Sequence, residues 1–138
     1  MCFNPSFSRI VMYHFFDIFF LVFHSALILF NLFGWIWKKT RKLNLVTLLL
    51  TGASWYFLGL FYGMGYCPLT DWHFDVIYEL GRSPGTNSYV HYLLQRLMGI
   101  NISAGAADTL TVIFFFAALL ASLFMNFLKK FIHPKQSE

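Results

Sequence analysis

Charge is scarce in this chain. Lysine, arginine, aspartate and glutamate make up 12% of its 138 residues, against about a quarter in soluble domains, which excludes an ordinary water-soluble fold. Cysteine is rarer still. Cys2 and Cys67 are the two present, and no Cys-x-x-Cys-His run exists for covalent haem attachment. The nucleophile elbow, the phosphate loop and the His-Glu-x-x-His zinc motif are missing as well. No pair of carboxylates is spaced to position a water for hydrolysis, and no basic stripe alternates with base-stacking aromatics. The formal charge of +4 therefore does not point to nucleic acid.

What the chain does have is long apolar runs. Hydrophobic residues make up 58%, with 18 phenylalanines. Three stretches, at about 10–37, 45–65 and 109–128, each meet the roughly 20 residues a helix needs to cross a ~30 Å hydrocarbon layer. A backbone in lipid must satisfy its own polar groups, so isolated segments there are helical. The fold class expected is an all-α integral membrane protein of three transmembrane helices. Residues 1–138 form one membrane domain, with an outer cap at 66–107. Lys38, Lys39, Arg41 and Lys42 follow the first span, and Lys129, Lys130 and Lys135 follow the third. Basic residues stay on the cytoplasmic side. This sets the N-terminus and cap outside and the C-terminus inside. The first span is too long and too bulky for a secretory signal and lacks a small-x-small cleavage site, so it is expected to be a retained anchor.

Polar residues within the spans are few and placed with a period. Asp17, His24 and Asn31 fall seven apart, nearly two helical turns, so they share one face. That face should point into the bundle, where polar side chains are tolerated. Asp17 could pair with His14, Arg82 or Arg96, and His24 with Thr51, Ser54 or Ser122. In the second span, Gly59-x-x-x-Gly63 permits close helix approach, within the monomer or in a homo-oligomer. Asp108 is the expected N-cap of the third span.

The cap reads as two short amphipathic helices in the loop between the second and third spans, lying on the outer mouth of the bundle. One starts at Thr70 and is closed by Gly81; the other is capped by Ser88 and closed by Gly99. Cys67, Asp71 and His73 are competent metal ligands, although their spacing fits no standard zinc pattern. His24, His73 and His91 would form a haem or transition-metal site if the fold brought them together. Cys2 and Cys67 both fall on the outer, oxidising side, where a disulfide could persist.

The run Gly63-Met64-Gly65-Tyr66-Cys67-Pro68-Leu69-Thr70-Asp71-Trp72-His73 resembles the Cys-Pro-Leu-Thr signature of small bacterial membrane proteins catalogued as domain of unknown function 2784. His24, Phe30-Asn31-Leu32-Phe33-Gly34-Trp35, Arg41, Ser88-Tyr89 and Tyr92 extend the resemblance over roughly the first hundred residues. It implies the architecture above, the bacterial inner membrane as the location, and no established activity. Three functional readings stand at this point. The first is an accessory or interaction subunit without catalysis, bound to lipid and to a membrane partner. The second is a haem- or metal-binding redox protein using the histidines. The third is a small oligomeric transporter lined by Asp17, His24 and Asn31.

Overall fold

The computed structural model describes residues 5–128 and residue 131, and the described residues contain helices and no strands. Helix α1 is Pro5–Phe33. Helix α2 is Arg41–Tyr62, with one wide π turn at Ser54–Leu58. Helix α3 is Pro68–Glu79. Helix α4 covers residues 89–98, an α segment Tyr89–Leu93 continued by a π turn Leu94–Met98. Helix α5 is Ala104–Leu128 and ends in a π turn at Phe124–Leu128. Three of these, Ser6–Phe33, Arg41–Tyr62 and Ala104–Leu128, are long and apolar enough to cross a membrane. The lysines expected after the third span and Cys2 lie outside the described residues.

The ends of the spans differ from the hydropathy reading for local reasons. Helix α1 stops at Phe33, so Trp35 and Trp37 lie in a turn beyond it. The turn is tied down by Thr40 Oγ1, which donates to the Gly34 carbonyl at 2.7 Å, and by Arg41 Nε, which donates to the Trp35 carbonyl at 3.0 Å. Helix α2 begins at Arg41 because this basic turn is already helical. It ends at Tyr62 because Gly63, at φ +107°, takes a backbone conformation that side chains disfavour. Helix α5 starts at Ala104. Its N-cap is Ser103, whose hydroxyl accepts from the Ala106 N–H at 3.2 Å, and Asp108 lies inside the helix. Helix α3 likewise begins before Thr70, with Pro68 at its first position, where a missing N–H costs nothing.

Beyond Tyr62 the chain doubles back. The Tyr66 carbonyl accepts from Ser54 Oγ at 3.2 Å, so α3 starts beside the π turn of α2, below the helix tip. From there α3 runs antiparallel to α1, with Cys67 level with His24 and His73 level with Asp17. The cap therefore lies along the flank of α1. Phe74, Ile77, Tyr89, Tyr92 and Leu93 form its core, packed on Leu21 and Ile28. A second core, Leu48, Phe115 and Ala118 with Leu32, Trp35 and Trp55 around it, joins α1, α2 and α5. Much of the remaining surface of α1 is apolar and open, including Phe15, Phe19, Val22 and Phe23. That pattern suits contact with lipid tails.

Candidate functional site at the junction of cap and span

Asp17 is the centre of the site. It is 2% exposed on an apolar helix, where an unpaired carboxylate would be costly. Arg96 of α4 grips it with both terminal nitrogens, Nη1 to Oδ1 at 2.7 Å and Nη2 to Oδ2 at 2.9 Å. Such paired charge-assisted bonds are among the strongest a guanidinium makes. Arg82, in the link after α3, adds Nη2 to Oδ2 at 2.7 Å. His73 Nε2 lies 2.8 Å from Oδ1. The carboxylate thus takes four bonds from three cap residues. Tyr92 Oη accepts a further bond from Arg96.

The environment fixes the protonation of His73. Burial pulls its imidazole below the ordinary value of 6.5; Asp17 opposes this and the two guanidiniums reinforce it. The ring is neutral at pH 7, with one N–H. A carboxylate only accepts, so that proton sits on Nε2 and points at Asp17. Nδ1 then accepts from the Tyr89 hydroxyl at 2.8 Å. Burial pushes the Tyr89 phenol up, so it keeps the proton it donates. The hydrogen bond to Asp17 raises Arg96 above its ordinary value, so its charge is permanent.

His24 sits one step deeper. Its ring stacks on Tyr89 with centroids 4.0 Å apart, and its Nε2 lies 4.0 Å from Cys67 Sγ. His24 Nδ1 is buried without a hydrogen-bond partner. None of the partners expected for His24 is used by it. Thr51 Oγ1 accepts from Asn31 Nδ2 at 3.1 Å, Ser54 bonds Tyr66, and the Ser122 carbonyl accepts from Asn126 at 2.8 Å. Asp17, His24 and Asn31 are all buried on one face of α1, and Arg82 and Arg96 are the partners of Asp17 that the sequence put forward.

The proposed ligand sets separate. Cys67 is a half-buried free thiol facing His24. Asp71 is exposed, and its carboxylate accepts from the Tyr66 hydroxyl at 2.9 Å. His73 is buried with both ring nitrogens engaged. His91 is buried on α4 with neither ring nitrogen bonded. Among the described residues, no three His, Cys, Asp or Glu side chains are placed to hold a metal ion. The geometry offers neither the Cys67–Asp71–His73 set nor a His24–His73–His91 set.

Some residues of the site were not expected in it. The sequence marks Tyr89 and Tyr92 through the family resemblance alone, and the structure makes them the layer between His73, His24 and Arg96. Asn44 was not singled out. It is fully buried, and its Nδ2 donates to the carbonyls of Phe30 at 2.7 Å and Asn31 at 3.2 Å. An asparagine beside a basic turn gives little sign of such a role. Gly59 has a local use, since a Cβ there would lie 3.2 Å from the Met64 backbone of the same chain.

Residues 14–127 match the family model described as "Protein of Unknown function (DUF2784)", and the chain belongs to that family. No curated protein and no solved structure matches the chain.

Proposed function

We propose that this member of the family is an accessory or interaction subunit of the bacterial inner membrane, without catalysis of its own, that anchors through three spans and presents a fixed cap outside. The observation that carries this reading is how the buried charge is used. Asp17 accepts from His73, Arg82 and Arg96 at once, so its lone pairs are committed to holding the cap against α1. A carboxylate serving as a general base or an ion ligand needs a free oxygen in reach of its substrate. Here the same groups make a rigid latch, and rigidity in a small membrane protein favours recognition by lowering the ordering cost of binding. The test is affinity purification in mild detergent after cross-linking in the membrane. Recovery of a stoichiometric membrane partner that is lost with Asp17→Asn supports the reading. Persistent isolation as a lone monomer counts against it.

One observation favours a second reading, a redox or metal-handling protein. The Cys67 thiol faces the His24 imidazole at 4.0 Å, and thiolate and imidazole both suit soft transition metals. The visible absorption spectrum and metal content of purified protein test it. A Soret band or stoichiometric copper, zinc or iron that disappears with His24→Ala would place this reading first. A colourless, metal-free, folded sample would remove it.

A further inference from the structure

We infer that Arg82 and Arg96 form an anion site at the membrane boundary, and that it takes the phosphate of an anionic phospholipid. The first ground is charge balance. Two guanidiniums converge on the single carboxylate of Asp17, leaving one positive charge in excess. Among the described residues no other carboxylate, those of Asp71, Asp75 and Glu79 included, makes an ion pair with either arginine.

The second ground is the unused donors. Arg82 reaches Asp17 through Nη2 alone, and its side chain is 46% exposed, against 25% for Arg96 and 3% for Asp17. A guanidinium has five N–H donors in a planar fork that matches a phosphate. Arg82 therefore has one edge held by protein and the other facing outwards. Asp17 fixes the side chain beforehand, which reduces the rotamer freedom an anion would otherwise have to freeze.

The third ground is depth. Asp17 stands 16 residues before the end of α1 at Phe33, about 24 Å along the helix at 1.5 Å per residue. A hydrocarbon layer is ~30 Å thick, so with Phe33 at one face Asp17 lies about 6 Å inside the other, and the long side chain of Arg82 can carry its outward edge up to the headgroup phosphates. A guanidinium held at this level meets the phosphates of either leaflet with the same charge and fork geometry. A soluble phosphate presents the same chemistry, and the experiment separates the two sources. The inference concerns the protein and its lipid alone and does not depend on a protein partner.

The test is native mass spectrometry of the protein released from nanodiscs of phosphatidylglycerol and phosphatidylcholine, repeated with inorganic phosphate added. Wild-type protein is expected to retain one phosphatidylglycerol in preference to phosphatidylcholine. Arg82→Gln should lower that retention about tenfold, the loss of one charge-assisted contact, and Arg82→Lys should keep most of it. Because Arg96 still holds Asp17 by two bonds, the helical content of both variants should match wild type by circular dichroism. Phosphatidylglycerol that added phosphate does not displace identifies a headgroup site. Phosphate bound by lipid-free protein in an Arg82-dependent way supports the anion site and overturns the lipid. Equal retention of both lipids without phosphate binding overturns the inference, as does wild-type retention by Arg82→Gln or equal loss in both variants.

Discussion

At the cap end, α3 and α4 meet α1 through a buried carboxylate, two arginines, a neutral histidine and stacked aromatic rings. At the opposite end, α1, α2 and α5 meet through Leu48, Phe115 and Ala118. Polar contacts there include Asn44 to the carbonyls of Phe30 and Asn31, Asn126 to the Arg41 carbonyl, Arg41 to the Trp35 carbonyl and Asn31 to the Thr51 hydroxyl, and none of them is an ion pair. The contrast follows from the solvent. Between helices in lipid there is no hydrophobic driving force, and fit and hydrogen bonds must hold the seam. Near the boundary, charges can be carried and paired, and a charge fixes orientation more sharply than a methyl group does. The protein thus has a seam of apolar contacts and neutral hydrogen bonds at one end and a charged latch at the other.

Breaking the latch should give the largest effect. Asp17→Ala removes every bond that His73, Arg82 and Arg96 make to α1. Removing one partner of a buried charge pair typically costs about 3–5 kcal/mol. The exposure of Arg82 and Arg96 sets the expectation at the lower end, roughly 3 kcal/mol. Hydrogen exchange in nanodiscs should show residues 68–98 losing protection while α2 and α5 keep theirs. Loss of protection throughout the protein would mean that the two ends are one cooperative unit.

The opposite end is best broken at Gly34. A Cβ there would lie 2.6 Å from the Phe30 carbonyl oxygen and 2.9 Å from Asn44 Nδ2. The first of these is backbone and cannot swing aside, so Gly34→Ala must shift the turn, at roughly 1–3 kcal/mol. Protection should fall around residues 41–51 and remain in the cap. Asn44→Ala is the milder form. It removes two donors at about 1 kcal/mol each, but the Phe30 carbonyl still accepts from the Gly34 N–H at 2.8 Å. About 1 kcal/mol in total is expected, read as a lower thermal midpoint with unchanged cap protection.

Apolar runs made the three spans, the shared face of Asp17, His24 and Asn31, and the two cap helices legible, because each depends on local periodicity. Ser88 as an N-cap and Gly99 as a left-handed terminator were legible for the same reason. The ends of the spans were not. Hydropathy does not register that Thr40 and Arg41 bond back to the turn, or that Ser103 precedes Asp108 as a cap. The site was half legible. A buried aspartate on an apolar helix requires a cation; of the candidates His14, Arg82 and Arg96 the two arginines bond it, and His73, which bonds it as well, is not marked by any local pattern. The partners of His24 were missed because two glycines return the chain to the level of Ser54, which brings Cys67 and Tyr89 to a depth that a cap above the bundle would not reach. Asp71 and His73 point apart because residues two apart on a helix do not share a face, so one is exposed and the other buried.

The smallest expected effect is one of pH, and it distinguishes the latch from the seam without a mutation. His73 has a folded value below its ordinary 6.5 because burial outweighs the attraction of Asp17. Below 6.5 the unfolded chain therefore binds more protons at this residue than the folded one does, and stability rises with pH across that window. The contribution of the neutral ring is complete above 6.5 and is lost as pH falls towards the folded value. Protonation would place a third cation beside Arg82 and Arg96 and remove the acceptor that Tyr89 needs. Between about pH 7 and about pH 5, exchange corrected for its intrinsic pH dependence should quicken in residues 68–98 and stay level in α2 and α5. His73→Gln should flatten this response. A pH response of equal size in the seam, which lacks a titrating group in its core, would assign the effect to the whole bundle and remove His73 as its source.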